Sequence, residues 1–420
     1  MSNIIIENEH GGLSVEQIKK QLAKSIEGRK LKKVLLVPPD ITRLNSGAGL
    51  ITALYYEMLE NTHVDILPAL GTHKPMTREE QIAFFGEKIP AERYLIHDWR
   101  NDVTKIGQVP GKFVKEVSEG LMEETMGIEL SNYLLDPTYD LILSIGQVVP
   151  HEVVGMANYT KNIVVGCGGS GFINQSHMLG AYYGMERIMG KDHSPVRKVF
   201  DYAEENYISK LPLEYVLTVT VSEDEKTDII GLYIGKEREN FTRAVALSQK
   251  HNLIYMDEPI KTCVVWLDER EFHSTWLGNK AIYRTRMAIA DGGELIILAP
   301  GVKMFGEDAE NDRLIQKYGY IGRKNILKLC KTEKDLQNNL STAAHLIHGS
   351  TDGRFKVTYA TKKLKKEEVE KVAFNYIPLD EALKKYDPKK LKQGYNKTKD
   401  GEEIFYIENP ALGLWALKLW

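Results

Sequence analysis

Short apolar runs closed by glycine or proline alternate with amphipathic stretches along the first half of the chain. Lys33-Val34-Leu35-Leu36-Val37 stops at Pro38-Pro39, Val64-Asp65-Ile66-Leu67-Pro68-Ala69-Leu70 ends at Gly71, Asp140-Leu141-Ile142-Leu143-Ser144-Ile145 ends at Gly146, and Asn162-Ile163-Val164-Val165 leads into Gly166. Runs this short and this continuously apolar predict strands buried on both faces. Residues 14–24 predict a capped helix, with Ser14 ahead of Glu16 and Gln17 and an apolar stripe of Val15, Ile18 and Leu22. Residues 50–59 have helical period, and Thr77 followed by Glu79 and Glu80 marks another helix start. Strands alternating with helices imply an α/β fold, here a doubly wound, Rossmann-like, mostly parallel sheet. Residues 215–221 and 229–234, joined by a charged loop, predict a hairpin, and a helix carrying Phe241, Val245 and Ala246 follows. Met256-Asp257-Glu258-Pro259 reads as a boundary between an N-terminal domain, 1–258, and a smaller C-terminal α/β domain, 259–420, which opens with Cys263-Val264-Val265-Trp266 and continues through residues 293–300. The charge run at 362–371 reads as a solvated helix face.

Composition narrows the class. The 420 residues are 43% hydrophobic and 27% charged, with a net charge of −3, which is ordinary for a soluble protein and lacks the basic footprint of a nucleic-acid binder. Cys167, Cys263 and Cys330 form no CxxC pair, which argues against a disulfide framework or a thiolate zinc site and fits a reducing cytoplasm. No apolar run approaches the roughly 18 residues of a membrane span, and residues 1–10 carry no signal-peptide core.

The chemistry-bearing residues fall just after the strands, where open parallel sheets bind ligands. Asp40-Ile41-Thr42-Arg43 follows the first strand; Arg43 suits a carboxylate, or it pairs with Asp40 as a loop clamp. His73 follows the second strand and His151 the third, and either reads as an acid/base group or as a turn histidine. Lys161 taken alone is a surface lysine. His177, placed at a helix start, would complete a three-histidine metal site with His73 and His151, although no HExxH occurs. Gly166-Cys167-Gly168-Gly169-Ser170-Gly171 formally satisfies GxGxxG after an apolar run, the dinucleotide fingerprint, but arrives after three other strands; a tight turn is the alternative. In the second half, Trp276, Asn279, Lys280, Arg284 and Arg286 cluster in sequence, and His345 and His348 read as structural.

Together Asp40-Ile41-Thr42-Arg43, Gly71-Thr72-His73, Pro150-His151, Lys161 and His177 resemble the lactate racemase family, whose members use a nickel-pincer nucleotide. The resemblance implies a racemase or epimerase that inverts the alpha carbon of a 2-hydroxy acid by proton-coupled hydride transfer. It implies a cofactor, a pyridinium-3-thioamide-5-thiocarboxylic acid mononucleotide holding nickel, attached covalently at Lys161, with His177 as the protein's nickel ligand. His73 and His151 match the two acid/base histidines, one for each enantiomer. Arg43 matches the carboxylate anchor, and Asp40 an aspartate that orients His73 or the cofactor. Lys280 is similar to the family's lysine for substrate oxygens, Trp276 to a shield over the cofactor plane, and Gly168 and Ser170 fall where the loop would contact the nucleotide. The implied partners are a small 2-hydroxy acid and the enzymes that build the cofactor, with no nucleic acid or membrane.

The chain departs from the lactate enzymes after Arg43, in Leu44-Asn45-Ser46-Gly47-Ala48-Gly49, and before Lys161, in Asn158-Tyr159-Thr160. Asn45 and Ser46 beside the carboxylate anchor favour a hydroxylated substrate, a sugar acid of the gluconate type, over lactate. An NAD-dependent dehydrogenase using the 166–171 loop, and a non-catalytic binding protein on the same fold, are the competing readings.

Overall fold

The structure is a computed structural model that describes residues 3–223 and 226–418. Asp224 and Glu225, in the charged hairpin loop, lie outside the described residues. The chain divides between Asn252 and Leu253 into two compact units.

Among the described residues the first unit has ten strands: β1 Ile4–Glu7, β2 Lys33–Val37, β3 His63–Ile66, β4 Val103–Val109, β5 Met126–Ser131, β6 Leu141–Gln147, β7 Pro150–His151, β8 Gly155–Met156, β9 Leu213–Glu223 and β10 Lys226–Gly235. Its main sheet runs β1-β10-β9-β6-β2-β3. β3, β2, β6 and β9 are mutually parallel, β9 and β10 form the antiparallel hairpin, and β1 closes the edge antiparallel to β10. Along the central strands alternate residues enter different cores. Leu35, Val37, Ile142 and Leu217 pack on one face, and Val34, Leu36, Leu141, Leu143 and Val216 on the other. A sheet covered on both faces has no polar side, which is why these strands read as continuous apolar runs.

The helices begin where the sequence signals them. Ser14 and Gln17 form a reciprocal capping box on the helix Val15–Ile26, and Thr77 and Glu80 do the same for Arg78–Phe85. After β2 the chain moves to β3 on one side, while β6 joins on the other. The carboxyl ends of β2 and β6 therefore flank a topological switch point, the usual ligand crevice of such sheets.

Two sequence expectations are corrected. Residues 162–165 are not a strand but part of the helix Thr160–Val164 and its cap. The Asn162 amide donates to Val37 O and to Ser144 Oγ, both at 3.0 Å, docking this helix against the end of β2 and the middle of β6; a short buried run has the same apolar signature in either state. The strand expected over 64–70 ends at Ile66, and only a bridge between Pro39 and Ala69 continues it, because Pro68 has no N–H for the ladder. The hairpin β4–β5 carried no reading in the sequence.

The second unit has β11 Leu253–Met256, β12 Ile260–Trp266, β13 Ile289–Leu298, β14 Lys356–Thr361, β15 Asn375–Pro378, β16 Gly394–Lys397, β17 Glu403–Ile407 and β18 Leu414–Leu417. The sheet β15-β14-β13-β12-β17-β16 is parallel except for β16. β11 pairs with β18, which ties residues 253–256 to this unit. In the helix Lys366–Lys371 only Val369 is buried, as a solvated face requires. Among the described residues no helix is long and apolar enough to cross a membrane.

Candidate active site

The turn after β2 is built around Asp40. This buried carboxylate caps the short 3-10 segment Ile41–Ser46, accepting from Thr42 N at 3.0 Å and Thr42 Oγ1 at 2.5 Å through Oδ1. Its other oxygen, Oδ2, lies 2.6 Å from His73 Nδ1, on the loop that follows β3. Burial alone would raise the Asp40 carboxyl, but the His73 imidazole and the two Thr42 donors outweigh it and hold it at about 2. An ionised carboxylate only accepts, so His73 donates from Nδ1, and in the neutral ring Nε2 is then the acceptor. The loop-clamp reading of Arg43 fails: His73 and Thr42 occupy both Asp40 oxygens, and no ion pair of Arg43 is found among the described residues.

The chain after β6 forms a small hairpin, β7–β8, in which His151 stands opposite Gly155. His151 is 5% exposed, too buried for a solvent-facing turn histidine. Its Nδ1 accepts from Val153 N at 3.1 Å and lies 3.7 Å from Glu152 Oε2. The chain then passes through Asn158 and Tyr159, two non-glycine residues at positive φ (65° and 56°), immediately before the helix that carries Lys161. Such conformations persist only where packing over-determines them. Here Arg197 Nη2 donates to Met156 O at 2.7 Å and to Asn158 O at 3.1 Å, and Tyr159 stacks on Phe241 and packs against Tyr215. Gly146, at φ 154°, is a glycine because a Cβ there would collide with the Asn158 amide.

His177 lies in the middle of the helix Ser170–Tyr183 rather than at a helix start. Its Nδ1 bonds Ile173 O at 2.7 Å, so Nδ1 carries the proton and Nε2 the lone pair. Burial pushes its pKa down to about 4; the Ile173 carbonyl opposes that shift, Lys161 adds to it and Glu152 opposes it. His177, Lys161 and Glu152 thus share one electrostatic neighbourhood, and Glu152 also faces His151. The His73 loop reaches the same region through Gly71 N, which donates to Gly166 O at 2.9 Å just beyond the Lys161 helix. The structure therefore pairs His73 with Asp40 at the turn after β2, and links His151, through Glu152, to His177 and Lys161. Among the described residues no three His, Cys, Asp or Glu side chains are grouped to hold a metal ion, so the three-histidine metal centre is not formed.

The glycine loop does not have the dinucleotide context. It follows a helix, not a strand, and its N–H groups are engaged within the fold: Gly169 N donates to Glu129 O at 3.2 Å, Ser170 N to Trp99 O at 3.1 Å and Gly171 N to Glu129 Oε2 at 3.2 Å. A carboxylate already occupies the place a phosphate would take at this helix N-terminus. Gly168 is close-packed, since a Cβ would collide with Val164 O, and its own carbonyl bonds His97 Nε2 at 3.0 Å. Burial raises the Cys167 thiol, which leaves it a core group.

The residues after Arg43 face the hairpin. Ser46 is fully buried, its Oγ accepting from Ala48 N and its carbonyl from Thr218 Oγ1 at 2.7 Å, while Thr220 Oγ1 bonds Asn45 O at 3.0 Å. The argument for a hydroxylated substrate loses Ser46 and is left with Asn45, whose Oδ1 accepts from Thr227 Oγ1 at 3.4 Å. Asn162, Arg197 and Glu129 also hold the site together and carried no motif signal; each works through a partner distant in sequence.

In the second unit Lys280 is buried, 3.6 Å from Glu271 Oε1, with its ammonium over the Phe272 ring. Trp276 stacks on His345 at 4.2 Å, and both His345 ring nitrogens bond hydroxyls, Tyr283 at 3.0 Å and Tyr320 at 2.9 Å, a structural arrangement.

Residues 13–187 match the family model of the lactate racemase N-terminal domain. Among solved structures, a protein from Thermotoga maritima is 27% identical, with a TM-score of 0.83, covering 98% of this chain and 100% of its own. The lactate racemase apoprotein from Thermoanaerobacterium thermosaccharolyticum is 19% identical, with a TM-score of 0.68, covering 96% and 93%. No curated protein matches the sequence. Residues 13–187 are thus similar to the lactate racemase N-terminal domain, and nearly the whole chain shares the fold of the lactate racemase apoprotein.

Proposed function

We propose that the protein is a racemase or epimerase of 2-hydroxy acids that works with a nickel-pincer nucleotide attached at Lys161. The observation that carries this reading is His177: a neutral imidazole, its Nδ1–H spent on Ile173 O, its Nε2 lone pair available, in the electrostatic field of Lys161. A single histidine is an incomplete metal site, and it suits a metal whose other donors arrive with a cofactor. Lys161 would hold the group covalently and His177 its nickel. When bound, the group supplies an acceptor for the alpha hydrogen as hydride.

The chain's own residues handle orientation and the proton. Arg43, unclaimed by Asp40, anchors the substrate carboxylate. His73, fixed by Asp40 with Nε2 as acceptor, takes the hydroxyl proton of one enantiomer and returns it; His151 serves the other. The substrate class is a 2-hydroxy acid, lactate-like or a sugar acid.

The test is co-expression with cofactor-making enzymes, intact-mass analysis of the Lys161 peptide, and a panel of 2-hydroxy acids followed for inversion. Adduct mass on Lys161, nickel in equal amount and inversion of at least one acid are expected. A loaded protein that inverts none of them overturns the reading and favours the non-catalytic one.

A further inference from the structure

Under the reading above, both histidines must at some stage accept a proton at Nε2. The geometry equips only one of them. His73 donates from Nδ1 to an ionised carboxylate at 2.6 Å, which leaves Nε2 as acceptor. His151 is wired the other way. The Val153 N–H can only donate, so His151 Nδ1 accepts at 3.1 Å and, in the neutral ring, the proton sits on Nε2. In that tautomer His151 gives a hydrogen bond and cannot take a proton. A second group faces the same nitrogen: Glu152 Oε2, at 3.7 Å, with Glu152 itself mostly buried at 18% side-chain exposure.

We propose that Glu152 is the positioning residue that converts His151 Nε2 from hydrogen-bond donor to proton acceptor, the arrangement in which Asp40 holds His73 permanently. The proton moves from Nε2 to Nδ1 with no change in charge, Nδ1 turns from accepting the Val153 N–H to donating to the Glu152 carboxylate, and Nε2 gains its lone pair. When His151 then acts, the substrate O–H bond breaks, an N–H bond forms at Nε2, and the imidazolium stands beside the Glu152 carboxylate; delivery of the proton reverses each change. When bound, the cofactor of the functional reading would supply the acceptor for the alpha hydrogen and its electron pair. A racemase built this way has one base always set and one that is switched.

The experiment has two readouts. In apoprotein labelled with 15N-histidine, long-range nitrogen–proton correlations report each tautomer, with His73→Gln and His151→Gln supplying assignments. Wild-type His73 is expected with its proton on Nδ1. His151 is expected to average the two tautomers, collapsing to the Nε2–H form in Glu152→Gln and Glu152→Ala, with His73 unmoved. Identical His151 spectra in all three proteins overturn the proposal. In loaded enzyme, Glu152→Gln is expected to lower kcat roughly 10- to 100-fold in both directions with KM nearly unchanged, and Glu152→Asp to restore part of it; an unchanged kcat overturns the catalytic role. Tautomer changes as expected, beside a loaded wild type that inverts no acid, would overturn the functional reading and leave the Glu152–His151 coupling standing.

Discussion

Arg197 donates through Nη2 to the Asn158 carbonyl at 3.1 Å, from a position with no solvent exposure. A buried cation therefore holds the strained backbone that delivers Lys161. Its guanidinium also lies over the Phe241 ring, 4.4 Å from the centroid. Arg197→Met keeps the volume and removes the donors. We expect a loss of about 3 kcal/mol in urea unfolding, with hydrogen exchange accelerated first at residues 156–161. Protection unchanged there would show that the turn stands without the clamp.

Asp40→Asn tests the pairing with His73 in two ways. In loaded enzyme kcat is expected to fall by roughly 10²-fold or more, because the amide can present its N–H to Nδ1 and favour the wrong tautomer. For stability, the Asp40 pKa is depressed from 3.8 to about 2 in the folded state. Its contribution, about 2 kcal/mol, is present above pH 4 and is lost as pH falls toward 2. The stability gap between wild type and variant should thus narrow over that interval. A gap constant from pH 6 to pH 2 would contradict the assigned ionisation.

Glu204 has the opposite sign. Burial raises its pKa from 4.5 to about 7, against the lowering effect of the Tyr215 hydroxyl that donates to it at 2.5 Å. The folded state then holds a proton that the unfolded state has released, so stability declines as pH rises from about 4.5 through 7. Glu204→Gln should flatten that decline, gaining on the order of 1–3 kcal/mol relative to wild type at pH 8 compared with pH 4. Thermal melts across the interval measure it.

Gly168 and Ser170 separate packing from cofactor contact. Gly168→Ala forces a Cβ into the Val164 carbonyl and should destabilise the apoprotein by about 2–4 kcal/mol. Ser170→Ala should stay within about 0.5 kcal/mol. An apoprotein of normal stability in Gly168→Ala that fails to hold the cofactor would instead make this loop part of the nucleotide site.

How much of this was legible differs from residue to residue. Lys33–Val37 and Leu141–Gln147 are recognisable as doubly covered strands because burial on both faces imposes an unbroken apolar run. Ser14 and Thr77 announce helices because capping is local, completed within three residues. The placing of Asp40, His73 and His151 just beyond strand ends likewise follows from chain order, since parallel strands put those ends together.

Tertiary structure alone decided the rest. The same apolarity at 162–165 serves a helix because Asn162 finds partners on β2 and β6, more than a hundred residues apart in sequence. Arg43 is released from Asp40 by His73, and the glycine loop is closed to phosphate by Glu129, contacts that no local pattern encodes. Which nitrogen of each histidine bears the proton rests on Asp40, Val153 and Ile173. Side-chain polarity is a property of the residue and survives in the sequence, whereas hydrogen-bond direction belongs to a pair and exists only once folding has brought both members together.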